Sequence, residues 1–296
     1  MNATTARAAI QLKNIIFATD FSPAASAALP FAGSIAKQFG ANLFAVHART
    51  PENYALPATE VWPIYNEQLE KETEALKRDL HEYYASIPSL IITLEGGVVA
   101  VIDAIAKEKN ADLIVLGTNG RRGIGKFLLG SVAEEVLRKA PCPVLTVGPH
   151  VAPGINQQTK FTKILYATDF SEGTPAAVAF MTAFAEENDA RLVLMHVIES
   201  PKAGELVTPQ ELESGALDRL ISFIPRESAL SYEPKAIVVH GSPADRILEV
   251  AEREEADLIV LGVRKAKGYI RATHLPAAVA HQVISRATCP VLTVRS

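Results

Sequence analysis

The feature that most constrains this chain is that it is written twice. Ile15-Ile16-Phe17-Ala18-Thr19-Asp20-Phe21-Ser22 returns as Ile164-Leu165-Tyr166-Ala167-Thr168-Asp169-Phe170-Ser171. Ala111-Asp112-Leu113-Ile114-Val115-Leu116-Gly117 returns as Ala256-Asp257-Leu258-Ile259-Val260-Leu261-Gly262. Pro141-Cys142-Pro143-Val144-Leu145-Thr146-Val147 returns as Thr288-Cys289-Pro290-Val291-Leu292-Thr293-Val294. The order is kept and the offset is about half the chain, so a domain is duplicated. A solenoid would repeat in units several-fold smaller. Each copy is roughly 140–150 residues long, enough to bury a core of its own. The expected boundaries are residues 10–148 for the first copy and 161–296 for the second. Between them, residues 149–160 read as a linker, because Pro, Gly, Asn and Gln there replace the apolar runs.

Within a copy, short apolar runs alternate with helical ones. Strands are expected near Asn14–Thr19, Asn42–Ala48, Leu90–Glu95, Asp112–Gly117 and Pro143–Gly148. In the second copy they fall near Thr162–Thr168, Arg191–Val197, Glu233–Val239, Asp257–Gly262 and Val291–Arg295. Near-continuous Ile, Val and Leu mark strands covered on both faces, as in parallel sheets. Ser22-Pro23 reads as an N-cap followed by proline at the first helical position, with Gly40 as the stop. Further helices are expected over Trp62–Ser86, Ala100–Lys109 and from Ser131. With right-handed crossovers this alternation gives the fold class α/β: two tandem doubly wound parallel five-stranded sheets with helices on both faces. Ligands bind such sheets outside the C-terminal strand ends, where Asp20 and Gly117 both fall.

That edge carries the chemistry. Gly117-Thr118-Asn119-Gly120 directly follows a strand, and Gly130-Ser131 opens a helix after nine further residues. Glycines there let the backbone approach a ligand closely, and a helix N-terminus presents N–H groups that favour phosphate.

These residues resemble the nucleotide motif of the universal stress protein family: Gly, two residues, Gly, nine residues, then Gly with Ser or Thr. Gly117, Gly120, Gly130 and Ser131 match it, and Asp20 matches the aspartate ending the family's first strand. The likeness covers nearly the whole chain and makes it similar to a tandem member of that family, with the adenine-nucleotide α-hydrolase-like fold. The resemblance implies ATP, its base near Ala18, Thr19, Asp20 and Ala48 and its phosphates over Gly120, Gly130 and Ser131. It implies Mg²⁺ or Mn²⁺ on the phosphate oxygens. It also implies that the two last strands meet as an intrachain pseudo-dimer, with pairing of two chains into a homodimer left open. Hydrolysis or self-phosphorylation, at a residue such as Ser131, is implied only as slow.

The second copy departs from the motif. Lys265 stands at the second glycine, and Leu275-Pro276 replace Gly-Ser. A side chain fills the close approach and Pro276 has no N–H to give. Asp169 remains, so the base end of a site is retained without its phosphate grip. An anion at Arg264, Lys265 and Lys267 is the alternative to an ordinary solvated loop.

Other features read more simply. Gly120 to Lys126 matches the first seven positions of a P-loop, but Phe127 stands where Ser or Thr must hold Mg²⁺. His47 and His196 read as packed structural histidines. His274 and His281 are not spaced as metal ligands on a helix. Cys142 and Cys289 read as buried thiols outside any disulfide framework. A net charge of −4 gives no electrostatic drive toward nucleic acid. The apolar runs are strand-length, far short of the roughly 20 residues that span a bilayer. Met1–Ala9 lacks the apolar core of a signal peptide, so the cytoplasm is the expected compartment.

The expected function is an ATP-binding stress-response switch held by the first domain, with protein partners unknown. The alternatives are a ligand-free interaction protein and an adenylating or hydrolysing enzyme of the related fold. Against the enzyme, no general-base and nucleophile pair lies near the motif. Fold alone does not decide between them.

Overall fold

The structure, a computed structural model, describes residues 10–49, 58–118, 129–152, 160–170, 174–199, 208–225, 227–263 and 276–295. They fall into two compact units, one spanning Leu12–Thr159 and one containing Lys160–Ser296. The first runs β1 (Asn14–Ala18), α1 (Pro23–Phe39), β2 (Asn42–Arg49), α2 (Ala58–Tyr84) and β3 (Ser89–Glu95). It continues with α3 (Val98–Glu108), β4 (Leu113–Gly117), α4 (Ser131–Lys139) and β5 (Val144–Val147). The second runs β6 (Lys163–Thr168), α5 (Thr174–Asn188), β7 (Arg191–Ile198), α6 (Pro209–Ser222) and β8 (Lys235–His240). It continues with α7 (Pro243–Arg253), β9 (Leu258–Val263), α8 (Pro276–Arg286) and β10 (Val291–Arg295). The α2 helix begins four residues before its expected start and ends two before its expected stop, an ordinary boundary error where no cap marks the sequence.

In the first unit the strands pair in parallel in the order β3-β2-β1-β4-β5, with Ala18 opposite both Val46 and Leu116. The second repeats this as β8-β7-β6-β9-β10. Each is a doubly wound parallel five-stranded sheet. Ile15, Ile16 and Phe17 are consecutive and all buried, which requires cover on both faces of the sheet.

Local signals explain the element ends. Ser22 caps α1 by accepting from the Ala25 N–H at 3.2 Å, and Pro23 follows at the first position. Gly40 ends it with φ 62°, a left-handed conformation that suits glycine. At the opposite end of the sheet from the candidate site, the Asp112 carboxylate accepts from the Lys13 and Asn14 N–H groups at 2.7 and 2.9 Å. Asp257 does the same for Thr162 and Lys163. Each aspartate thereby ties the start of the fourth strand of its unit to the start of the first. Among the described residues no helix is long and apolar enough to cross a membrane.

Candidate functional site

Strand order reverses between β1 and β4: β2 and β3 build to one side, β4 and β5 to the other. Beyond the carboxyl ends of those two strands lies the crevice where open α/β sheets bind ligands. On the β1 side sits a tight turn. Thr19 Oγ1 accepts from the Phe21 N–H at 3.0 Å, and Asp20 Oδ1 accepts from the Ser22 N–H at 3.0 Å. Phe21 is held at φ 59°, a costly conformation for a bulky residue, of order 1–3 kcal/mol. From β2, buried His47 places Nδ1 2.9 Å from Thr19 O. A carbonyl only accepts, so Nδ1 carries the proton of that bond. The imidazole also packs on the Phe21 ring, centroids 4.8 Å apart. His47 thus positions the turn.

On the β4 side, Gly117 ends the strand and Thr118 is buried behind it. A Cβ on Gly117 would stand 2.4 Å from Ala24 O and 2.6 Å from Ala24 C in the first turn of α1. The room this glycine makes is therefore taken up by the protein's own backbone. Gly130 donates its N–H to Thr118 O at 3.0 Å, closing the loop between them at its base. A Cβ there would come within 2.8 Å of the same oxygen. Gly130 is also the N-cap of α4 and has no side chain with which to cap the N–H groups of the first turn. The first bond within the helix runs from Glu134 N to Gly130 O.

Of the residues expected at the site, Ala18, Thr19, Asp20 and Gly117 meet across the paired ends of β1 and β4. Ala48 lies one strand further out on β2, opposite Leu94. Gly130 and exposed Ser131 join through the bond to Thr118. Gly120 lies outside the described residues, as do the P-loop-like segment, Arg264, Lys265, Lys267 and His274. The sequence reading missed Phe21. Its signal was present, since Thr-Asp-Phe-Ser recurs intact in the second copy.

The second unit repeats the turn. Phe170 has φ 59°, its N–H donates to Thr168 Oγ1 at 3.0 Å, and His196 Nδ1 lies 2.8 Å from Thr168 O. Arg219 of α6 adds a contact with no counterpart among the described residues of the first unit: its guanidinium sits over the Phe170 ring at 4.4 Å and donates to Phe170 O at 3.2 Å. Burial foremost, with Arg219 adding, holds the His196 pKa below its usual value against the Thr168 hydrogen bond and Asp169, which act to raise it. The first described residue of α8 is Pro276, which carries no N–H and stands where the first copy has Ser131.

The chain is thus a duplicated doubly wound α/β protein with a left-handed phenylalanine at each switch point. A family model of the Universal stress protein family matches the chain twice, at residues 11–148 and 160–295. The chain belongs to the universal stress protein family. A universal stress protein of Methanocaldococcus jannaschii is 39% identical over 140 residues, 46% of this chain and 81% of that protein. One of Thermus aquaticus is 35% identical over 138 residues, 46% of this chain and 98% of that protein. The crystal structure of a universal stress protein from Archaeoglobus fulgidus shares the fold with a TM-score of 0.73 at 21% identity, covering 97% of this chain and 99% of that one.

Proposed function

We propose that the first unit binds ATP at the β1–β4 crevice and that its occupancy acts as a regulatory switch, with hydrolysis slow at most. The observation that carries the reading is the uncapped N-terminus of α4 at Gly130-Ser131, tied through Thr118 to the strand end beside Thr19 and Asp20. Backbone N–H groups and the helix dipole there suit phosphate. Among the described residues no group of three or more His, Cys, Asp or Glu could hold a metal ion. A Mg²⁺ or Mn²⁺ ion, as the family resemblance implies, would sit on the phosphate oxygens and neutralise part of their charge.

One observation favours a second reading, that of a ligand-free interaction protein. Gly117 and Gly130 each meet the chain's own backbone closely enough to explain glycine without any ligand. Nucleotide content of the purified protein, extracted by denaturation and counted per chain, separates the two. The proposal expects about one ATP or ADP per chain, lost on Gly130→Val with Ser131→Val. No nucleotide, and no binding on adding ATP with Mg²⁺, would establish the second reading.

A further inference from the structure

The outer edge of the first sheet is unguarded. β3 ends the order β3-β2-β1-β4-β5, and none of its seven residues is buried. Leu90 and Leu94 are 52% and 42% exposed and share one face of the strand. Edges are usually protected by lysine, proline, a bulge or a covering element. Ser89–Glu95 contains neither residue, and its register with β2 runs unbroken from Leu43–Ser89 to Arg49–Glu95. The counterpart strand β8 is guarded. Lys235 opens it and bonds Glu254 at 2.8 Å, His240 closes it against Glu213 at 2.7 Å, and Ala236, Ile237, Val238 and Val239 are all half-buried. β5 is buried throughout, as is β10 up to Val294. Among the described strands one edge is therefore open.

The open strand is complementary to itself. The Leu43 N–H donates to Pro88 O and the Gly96 N–H to Arg49 O, so the parallel ladder turns the N–H groups of Ile91 and Thr93 outward. An antiparallel second copy centred on Ile92 sets Ile91 against Thr93 of that copy as a hydrogen-bonded pair, on both sides of the axis. Leu90 then faces Leu94 of the second copy in a pair without hydrogen bonds, where side chains come closest. Charge agrees with this direction. Glu95 faces the uncharged Ser89 of the second copy, so no like charges are opposed. The Lys109 ammonium, which also meets Glu108, lies 5.7 Å from the ring centre of Phe44, the residue opposite Leu90. Antiparallel pairing brings Glu95 of each copy to the Lys109 end of the other.

We propose that β3 is the interface of a two-fold homodimer, in which two copies of this chain pair their β3 strands antiparallel about Ile92. The contact is isologous and uses up the open edge, so assembly closes at two. One strand pair buries an area at the low end of specific interfaces, so the dimer dissociates on dilution. β3 is separated from the β1–β4 crevice by β2, and pairing there requires no nucleotide.

Sedimentation velocity of the full chain across micromolar concentrations tests this. The expected result is a monomer–dimer equilibrium that Leu90→Lys with Leu94→Lys weakens at least tenfold. Ile221→Lys, at an exposed apolar residue of α6, should leave it unchanged. Cross-linking reads the register. Two residues at the axis stand with Cα atoms about 4.5 Å apart, within disulfide reach, so mild oxidation of Ile92→Cys should give a covalent dimer. The two copies of residue 90 lie about 13 Å apart along the pair, so Leu90→Cys should not exceed the background that Cys142 and Cys289 set in the wild type. That comparison stands even where the lysine variant fails to fold. A chain that is monomeric at every concentration would overturn the proposal. So would a dimer untouched in a folded lysine variant, equal cross-linking at positions 90 and 92, or assemblies that grow beyond two. Failure of ATP binding leaves these outcomes unaffected, so the two readings fail separately.

Discussion

Replacing Gly117 by alanine adds one methyl group where no neighbour can yield. The new carbon would stand 2.4 Å from Ala24 O, 2.6 Å from Ala24 C and 2.9 Å from Ala25 N, all backbone atoms in the first turn of α1. Attractive contact with carbon requires about 3.5–4.0 Å, so the helix start has to retreat by about 1 Å. That retreat pulls on the Ser22 cap and on the Asp20–Ser22 hydrogen bond, both anchored in the same turn. Overpacking of this kind costs about 1–3 kcal/mol. For a domain of this size that lowers Tm by about 3–10 °C. The same change at Gly215 has the opposite sign. There the carbon meets nothing, and alanine gains about 0.8–1 kcal/mol in a helix interior. Thermal melts followed by circular dichroism would report the two shifts, and hydrogen exchange would assign the Gly117→Ala loss to the first unit. Equal Tm changes for the two variants, or a Gly117→Ala protein as stable as wild type, would refute the assignment of Gly117 to close helix–strand packing.

Asp112→Ala removes the acceptor for two N–H groups at the start of β1 and should cost about 1–3 kcal/mol in urea melts. Asp257→Ala acts alike in its own unit, so the double variant should be close to additive, and strong coupling would count against independent ties. Burial first, then Asp112, pushes the Cys142 thiol up to about 12, and burial with Asp257 does the same for Cys289. Native protein at pH 8 should therefore react slowly with iodoacetamide, while Asp112→Asn speeds Cys142 and leaves Cys289 unchanged, as mass spectrometry would report. His196 has a folded pKa below its ordinary 6.5, so on acidification the unfolded chain takes up its proton first. Its stabilising contribution is present above about pH 6.5 and is lost as pH falls from there through the folded value. The wild type should accordingly lose more stability than His196→Gln between pH 7.5 and 5.5, and parallel losses would contradict the shift.

The sheet was legible because its strands are buried on both faces and so read as unbroken apolar runs, repeated in order in the second copy. Caps such as Ser22-Pro23 and Gly40 were equally plain, since their chemistry is local. The glycines were harder. Spacing marked Gly117 as a ligand contact, whereas its immediate constraint is Ala24, nearly a hundred residues away in sequence. No local pattern carries a contact between the end of β4 and the start of α1. Asp112 was hidden for the same reason: it recurs with Asp257, yet its partners lie at the far end of the unit. A cavity of about 580 Å³ at the carboxyl ends of β6, β7 and β9 was invisible, because it depends on which side chains of α6, α7 and α8 converge there.

The two copies keep one turn and differ in what surrounds it. Both hold phenylalanine at φ 59°, and both secure it with a threonine hydroxyl and a histidine bonded to the threonine carbonyl. A left-handed phenylalanine is costly, so the turn persists only where several contacts over-determine it. In the first copy that turn stands beside the uncapped start of α4; in the second, Pro276 stands where the first copy has Ser131. The second turn is nevertheless braced further, by Arg219 across the ring and onto the backbone carbonyl. What the brace holds in place is the packing of Phe170 on His196, ring centroids 4.2 Å apart, so the turn is kept by contacts within its own unit.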